Sequence, residues 1–331
     1  MLSSRRGIVR RWAGIPALRP MASGRRRKCL ALVMVVAIIG LGMGRAFSES
    51  LPMQAAVLIS RNIRPYIEAA DGAIAAFKGS EFGVETFLLD RMKGGAAETL
   101  AASIRQGAYD LVLSVGPEAS SLAWSRCPAQ VCPIIYTMVL NPSRLAGAPR
   151  EPCGISLGIP IEVQLQTIAR TLPSVRRIGL MFDPENNAAF YGDAERMAAE
   201  AGISVVPVRV SSRKEIARAL AANWQRIDGL WLIPDRTVIS ESIVQYIVKQ
   251  GLLNDTPVVG YNRFFYESGA AVSFVLDYTE IGAQAGRLAL SAAARGECAA
   301  GGPAFQTWIN ARVVEKLGIP SAAGGGSVIL K

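Results

Sequence analysis

Histidine does not occur anywhere in the 331 residues. Its absence removes Ser-His-Asp and Cys-His catalytic arrangements, HExxH zinc sites and histidine proton shuttles in one step. Acidic residues are missing from the first 48 positions, which carry 10 Lys/Arg, while residues 49–331 hold 26 of each sign. The formal charge of +10 therefore belongs to one end of the chain. No basic stripe remains beyond it to mark a nucleic-acid-binding face. No apolar run reaches the roughly 20 residues that a membrane-spanning helix needs. Cysteine is scarce, with five in the whole chain.

The basic end has the form of an export leader. Arg25-Arg26-Arg27-Lys28 precedes an apolar run from Cys29 to Gly44. Ala46-Phe47-Ser48 follows, with small residues at alternate positions that suit a signal-peptidase cut before Glu49. Cys29 stands at the very start of the apolar run, whereas a lipid-modified cysteine would follow it. The expectation is a soluble exported, periplasmic protein cleaved near Ser48, with an uncleaved membrane-anchored form as the other reading and Met21 as an alternative start.

About 280 residues remain after such a cut, enough for one large domain or two lobes of ordinary size, and half of the chain is apolar. Four cysteines remain, and an oxidising compartment permits them to bridge. Cys127 and Cys132 flank four residues that read as a helix-to-strand loop, so a local disulfide between them is expected. Cys153 and Cys298 read equally as bridge partners or as small buried thiols. The spacings do not fit a zinc ribbon, and neither metal nor cofactor is expected.

From residue 55 short β-rich apolar runs alternate with amphipathic stretches, the pattern of parallel strands joined by helices. Strands are predicted at 55–60, 84–90, 110–116, 133–139 and 153–159, with helices at 65–77, 96–106 and from Pro117 through Trp124. A second series opens with a helix that places Ile161, Leu165, Ile168, Ala169 and Leu172 on one stripe. Strands at 177–183, 205–210, 229–234 and 257–262 follow, with helices at 187–201 and 240–252 and one opened by a Ser212/Glu215 capping box.

Two such series predict an α/β fold of two doubly wound lobes with a cleft between them. The expected divisions are an export signal at 1–48, an N-terminal lobe at 49–158 and a C-terminal lobe at 159–270. The strand 271–276 and the helix 278–295 are expected to return to the N-terminal lobe as a crossover spanning 271–298. Residues 299–331 are expected to return to the C-terminal lobe, ending in a Gly-rich tail at 322–327 with no visible task.

Ligands of open α/β sheets sit outside the carboxyl ends of the strands. That rule alone selects Ser60, Arg61 and Asn62 after the first strand, Ser114, Gly116 and Glu118 after the third, and Tyr136, Met138 and Asn141 after the fourth. In the second series it selects Asp183, Asn186 and Asn187, then Pro234 and Asp235, then Tyr261 and Asn262. Arg61 suits an anion, because its fork matches a carboxylate bidentately. Tyr136 and Tyr261 suit a ring by stacking, or pack at the cleft rim. Asp235 reads as a ligand contact or as a local partner of Arg236. Asp277, with Glu280 three residues on, reads as a helix N-cap or as a ligand contact. Asp183-Pro184 and Asn141-Pro142 are also common turn formers.

Several segments in fixed order carry a family resemblance. They are Tyr109 to Gly116, Pro133-Ile134-Ile135-Tyr136 with Asn141-Pro142, Leu172-Pro173-Ser174-Val175-Arg176-Arg177-Ile178-Gly179 leading to Asp183-Pro184-Glu185-Asn186, Gly229 to Asp235, Pro257 to Gly260, and Asp277 to Gly282. Together they resemble the exported substrate-binding proteins of ABC importers, in the family of type I periplasmic-binding-protein architecture that includes tryptophan/tyrosine-binding components. The resemblance implies a non-catalytic, monomeric receptor whose lobes close by a hinge on a small solute, an amino acid or similar, and deliver it to an inner-membrane permease. Nucleic acid is not an expected partner. The chain departs from the family where a hydroxyl residue often follows the glycine ending the third strand. Here Gly116 is followed by Pro117 and Glu118, which puts a carboxylate where a ligand's anionic group would otherwise dock.

Two other functions are consistent with the same residues. One is a receptor presenting its closed state to a membrane signalling protein. The other is an exported hydrolase using Ser114 or a carboxylate pair, against which the missing histidine and the expected lack of a Gly-x-Ser-x-Gly nucleophile turn count.

Overall fold

A computed structural model describes residues 52–330 apart from 128–131, 239, 297, 299 and 321–327. The expected leader and the Gly-rich segment 322–327 lie outside the described residues. The first half forms a parallel sheet from β1 (Met53–Ile59), β2 (Phe82–Leu88), β3 (Leu111–Val115), β4 (Ile134–Val139) and β5 (Gly154–Ser156), in the order β2-β1-β3-β4-β5. Its helices are α1 (Arg64–Ala76), α2 (Ala96–Arg105) and α3 (Pro117–Arg126).

The second sheet contains β6 (Arg177–Phe182), β7 (Ser204–Arg209), β8 (Gly229–Leu232), β9 (Val258–Gly260), β10 (Val272–Leu276), β11 (Phe305–Ile309) and β12 (Val328–Leu330), in the order β12-β11-β10-β9-β8-β6-β7. All its pairings are parallel except β10 with β11. Its helices are α4 (Ile161–Thr171), α5 (Pro184–Ala198), α6 (Ile216–Asn223), α7 (Glu241–Leu253), α8 (Arg263–Glu267) and α10 (Ala311–Lys316). The long α9 (Tyr278–Arg295) lies between β10 and β11 in sequence.

Both sheets are covered on both faces, which is why their central strands read as near-continuous apolar runs. Along β1, Ala55, Val57 and Ile59 enter one core while Ala56 and Leu58 enter the opposite one, the two-residue alternation of a pleated strand. Along β6, Ile178, Leu180 and Phe182 face one core and Met181 the other. Helix starts follow local chemistry. Pro65 opens α1, and the side chains of Asp183, Ser240, Asn262, Asp277 and Asn310 each accept a hydrogen bond from a backbone N–H in the first turn of their helices.

The Ser212/Glu215 pair closes differently from a capping box. Ser212 Oγ donates to Glu215 Oε1 at 3.2 Å and Ser211 N–H donates to Glu215 Oε2 at 3.0 Å, and a short 3₁₀ turn over Arg213–Glu215 precedes α6. The helix expected at 187–201 starts three residues earlier, at Pro184, and its backbone leaves helical geometry at Asn187 (φ −131°, ψ 22°).

The chain passes between the sheets after β5, after β10 and after α9. The expectation that the strand at 271–276 joins the N-terminal lobe is corrected here. β10 pairs with β9 and β11 inside the second sheet, because its inward residues Val272 and Phe274 complete that sheet's core. The helix α9 after it packs on the first sheet through Ile281, Ala285, Ala289 and Ala292. Its close approach to α1 depends on small residues, since a Cβ on Gly282 would overlap the backbone carbonyl of Ala69 and one on Gly72 that of Thr279. The last described segment, β12, adds a parallel edge strand to β11.

The expected Cys127–Cys132 bridge is also corrected. Both thiols are free and buried, and Cys153 is bonded to Cys298 instead. Cys153 directly precedes the edge strand β5 and Cys298 follows α9, and the backbone of Gly301 bridges to that same strand. Sequence spacing pointed to the local pair, whereas packing of the returning segment on β5 brings the distant pair together. Burial pushes the Cys132 thiol up to about 11, with the neighbouring Cys127 and Asp110 adding to the effect, so both stay protonated.

Candidate functional site

Strand order reverses direction between β1 and β3 in the first sheet and between β6 and β8 in the second. The carboxyl ends at these switch points are where doubly wound sheets place ligands. A cavity of about 600 Å³ lies there, lined from the first lobe by Tyr66, Pro117, Met138, Asn141 and Arg144, and from the second by Asn186, Asn187, Pro234 and Arg236. This is within the roughly 300–1,000 Å³ of small-molecule sites. A second, more apolar cavity of about 260 Å³ shares Leu140, Leu157 and Pro234 with it and adds Phe190, Tyr261 and Tyr278. A third, of about 350 Å³, continues past Asn262 and Asp277 to Arg64, Arg263 and Trp308.

The floor on the first lobe is set by tight backbone geometry. Gly116 has φ +91°, and a Cβ there would come within 2.6 Å of Ser60 Oγ and 2.7 Å of the Tyr66 ring. Only glycine meets both demands. Ser60 Oγ accepts the N–H of Ala119 at 2.9 Å, fixing the start of α3. Met138 adopts φ +60°, next to a register shift between β4 and β5, and that bend turns the chain towards Asn141 and Arg144. A left-handed methionine facing a cavity is backbone strain of the kind that collects at binding sites.

Glu118 lies at the first turn of α3 and pairs with Arg61 through Oε1, both side chains partly open to water. Burial opposes its charge, but its own backbone N–H, Arg61 and Ser60 outweigh that and hold the carboxyl below its ordinary range. Oε2 is buried without a hydrogen-bond partner of ordinary geometry. Tyr66 beside it has its phenol raised by burial and by the Glu118 charge, and so stays neutral.

The second lobe's wall is held by buried acids. Asp235 Oδ2 accepts the N–H of Asp183 at 2.8 Å and the amide of Asn187 at 2.7 Å, while Oδ1 accepts the N–H of Thr237 at 2.8 Å. Asp183 in turn accepts from Glu185 N–H, from the Asn186 amide at 3.2 Å and from the Thr237 hydroxyl at 2.6 Å. The non-helical backbone at Asn187 falls at the residue whose side chain reaches across to Asp235. Tyr261, against Phe265, is pushed up to about 12 by burial and the Asp235 charge.

The sequence-derived candidates thus separate. Asn141 and Asn186 line the large cavity. Tyr261 and Asn262 line the apolar one, and Asn262 and Asp277 the third. Asn262 and Asp277 also cap α8 and α9, accepting from Phe265 N–H at 3.2 Å and Glu280 N–H at 3.0 Å. Gly116 lies against the Tyr66 ring that lines the large cavity, while Glu118 and Arg61 pair with each other and are not among the residues lining it. Asn62 is exposed, lines none of these cavities, and donates its backbone N–H to Asp90 Oδ2 at 2.7 Å.

Ser114 and Tyr136 also lie away from these cavities. Ser114 is fully buried, 3.0 Å from Ser120 Oγ. Tyr136 packs edge-on to Trp124 and borders a separate recess beside the disulfide. The cleft residues that strand-end reasoning passed over include Tyr66, Arg144, Leu157, Arg236 and Tyr278. Tyr278 and Arg236 directly follow the selected Asp277 and Asp235, so the rule read one residue further would have found them, whereas Tyr66 lies seven residues past the end of β1, in the first turn of α1.

Gly154-Ile155-Ser156-Leu157-Gly158 matches the spelling of a hydrolase nucleophile turn. Ser156 instead ends the short edge strand β5, donates to Leu140 O at 3.2 Å and accepts Gly158 N–H at 3.0 Å. It works as a turn former.

The sequence profile of the ABC transporter substrate binding protein family matches residues 68–319. A tyrosine-binding protein of Clostridioides difficile (strain R20291) is 23% identical over 202 residues, covering 58% of this chain and 57% of that protein, so the chain matches less than two thirds of that relative's length. The ligand-free, open structure of a substrate binding protein with adhesive properties from Clostridium difficile superposes with a TM-score of 0.69 at 17% identity, covering 84% of this chain and 99% of that one. An ABC domain from Streptococcus pneumonia in complex with L-Trp gives 0.53 at 19% identity, with 84% and 99% covered. At these identities the structural likeness shows the shared two-lobed fold, that of type I periplasmic binding proteins.

Proposed function

Because the chain belongs to the ABC transporter substrate binding protein family, a family of non-catalytic solute-binding proteins, we propose that it is the exported receptor of an ABC importer, holding an amino acid between its lobes and passing it to a membrane permease. The observation that carries this reading is the chain of cavities at the two switch points, walled from both lobes by amides, guanidinium groups and neutral phenols. Apolar walls with a few converging polar groups suit a small solute that has a ring or aliphatic body and a polar head.

The ligand class is supported by two relatives, one named for tyrosine binding and one bound to L-Trp. Tyr261, Tyr278 and Phe190 around the apolar cavity offer faces for such a ring. A periplasmic location is supported by the basic, apolar leader and by the Cys153–Cys298 disulfide, which persists in oxidising compartments. Among the described residues no helix is long and apolar enough to cross a membrane.

Transport follows from hinge closure. A solute that contacts both walls binds the closed form more tightly than the open one, and only that difference can drive the lobes together. The test is a thermal-shift screen of the purified protein against amino acids, sugars, nucleosides and small carboxylates. A ligand at a hundred times its dissociation constant adds about 2.7 kcal/mol to stability. A selective rise with amino acids, with the ligand recovered unchanged, is the expected result. A selective rise with sugars or nucleosides alone would replace the ligand class.

A further inference from the structure

The large cavity is lined by one arginine from each lobe. Arg144 sits in the single turn Pro142–Arg144 after β4, and Arg236 lies just past β8. Both are exposed, and among the described residues neither makes an ion pair. The cleft's other arginines differ. Arg64 is held by Glu68 at 2.6 Å and Arg263 by Glu267 at 2.7 Å, each four residues on along its own helix, and Arg61 is held by Glu118. Asp235, next to Arg236 in the chain, and Asp183, tied to it through Thr237 and the Asp183 N–H, are buried and occupied by the bonds described above.

Closing the lobes would bring two unneutralised guanidinium groups towards each other in a cavity losing water, and their repulsion grows as the surroundings dry. An anion between them reverses that sign. We propose that Arg144 and Arg236 clasp the carboxylate of the solute from opposite lobes, so that the ligand is a carboxylate-bearing compound and its anionic head drives closure. The N-terminus of α3 carries its own carboxylate, Glu118, in the first turn. This deepens the receptor reading above and rests on it. The planar forks can each grip a carboxylate with two hydrogen bonds, and Asn141, Asn186 and Asn187 stand beside them as neutral donors.

The test is isothermal titration of the purified protein with L-tyrosine and L-tryptophan, with tyramine and tryptamine, which lack the carboxylate, and with 4-hydroxyphenylpropionate, indole-3-propionate and succinate, which lack the amine. The carboxylate compounds are expected to bind and the two amines to bind at least tenfold more weakly. Arg144→Gln and Arg236→Gln are each expected to lose roughly tenfold to a hundredfold in affinity, while Arg196→Gln and Arg287→Gln, on helix faces that line none of the cavities described, change little. The melting temperature of each unliganded variant checks that it folds, and the amine comparison on wild type needs no variant.

Amines binding as tightly as their amino acids, or a loss confined to one of the two arginines, overturns the clasp and leaves the receptor reading standing. Binding of a carboxylate that is no amino acid, dependent on both arginines, upholds the clasp and removes the amino-acid reading. Failure of every carboxylate in the panel to bind overturns the clasp.

Discussion

Cys153 and Cys298 are joined with their Cα atoms 5.7 Å apart across 145 positions of sequence. The bond fastens the segment leaving α9 to the start of β5, where Gly301 N–H also donates to Gly154 O at 3.2 Å. One of the passes between the sheets is therefore anchored on the first lobe.

Closing so long a loop removes up to about 5 kcal/mol of unfolded-state entropy. The Cys153→Ser/Cys298→Ser double variant is expected to unfold at clearly lower denaturant than wild type. A reducing agent should destabilise wild type and leave the double variant unmoved. Equal midpoints for the two proteins without reductant would show that the bond does not constrain the chain.

Gly282 on α9 admits the backbone of α1, and a side chain there must push against the Ala69 carbonyl, which cannot swing away as a flexible side chain could. Gly282→Leu is expected to cost about 3 kcal/mol and to lower the melting temperature by roughly 6–12 °C. Gly296→Ala, at the exposed end of the same helix where nothing lies within 4 Å, is the contrast. Its cost comes from its left-handed backbone alone and is about 1 kcal/mol.

These two contacts mark where the sequence was and was not legible. Strands such as β1, β4 and β6 were readable because burial on both faces forces continuous apolar runs, and the strand-end rule located Asn141, Asn186, Tyr261 and Asn262 in the cleft. The membership of β10 was not readable, since Val272 and Phe274 would fill either sheet's core equally well and only tertiary pairing decides. The disulfide was hidden for the same reason, as nothing local ties Cys153 to Cys298. Ser114 looked like a strand-end ligand group because its position one residue before the last of β3 does not reveal that its hydroxyl points at Ser120.

Asp228 gives the fold a pH-dependent tie. The Arg177 guanidinium donates to it at 2.6 Å, and the backbone N–H groups of Arg177 and Arg176 add bonds at 2.9 and 3.2 Å. The Arg177 hydrogen bond holds its carboxyl below the ordinary aspartate range, against some burial. A lowered folded value means that the stabilisation is fully present above the unfolded value, near pH 4, and disappears as acid passes through the lower folded one. Asp228→Asn should therefore cost about 2 kcal/mol at pH 7, and the urea midpoints of variant and wild type should approach each other as the pH falls through and below the ordinary aspartate range. A gap that stays constant from pH 7 to pH 3 would assign the loss to packing instead.

Glu118 is the one fixed negative charge at the first turn of α3, and its lowered carboxyl keeps that charge through neutral and mildly acid conditions. If the solute's carboxylate is held by Arg144 and Arg236, Glu118 acts on it as a like charge from next to Pro117, which lines the same cavity. Glu118→Gln removes the repulsion and also frees Arg61, whose present partner is Glu118. Both changes favour an anion. Affinity for the carboxylate ligand is thus expected to rise roughly twofold to fivefold, more at low salt than at high. The melting temperature of the empty protein should move little, because the pair it breaks is open to water. The opposite sign, a loss of affinity confined to ligands that carry an amino group, would place the buried and unpartnered Oε2 of Glu118 in contact with that group and make this carboxylate part of the recognition itself.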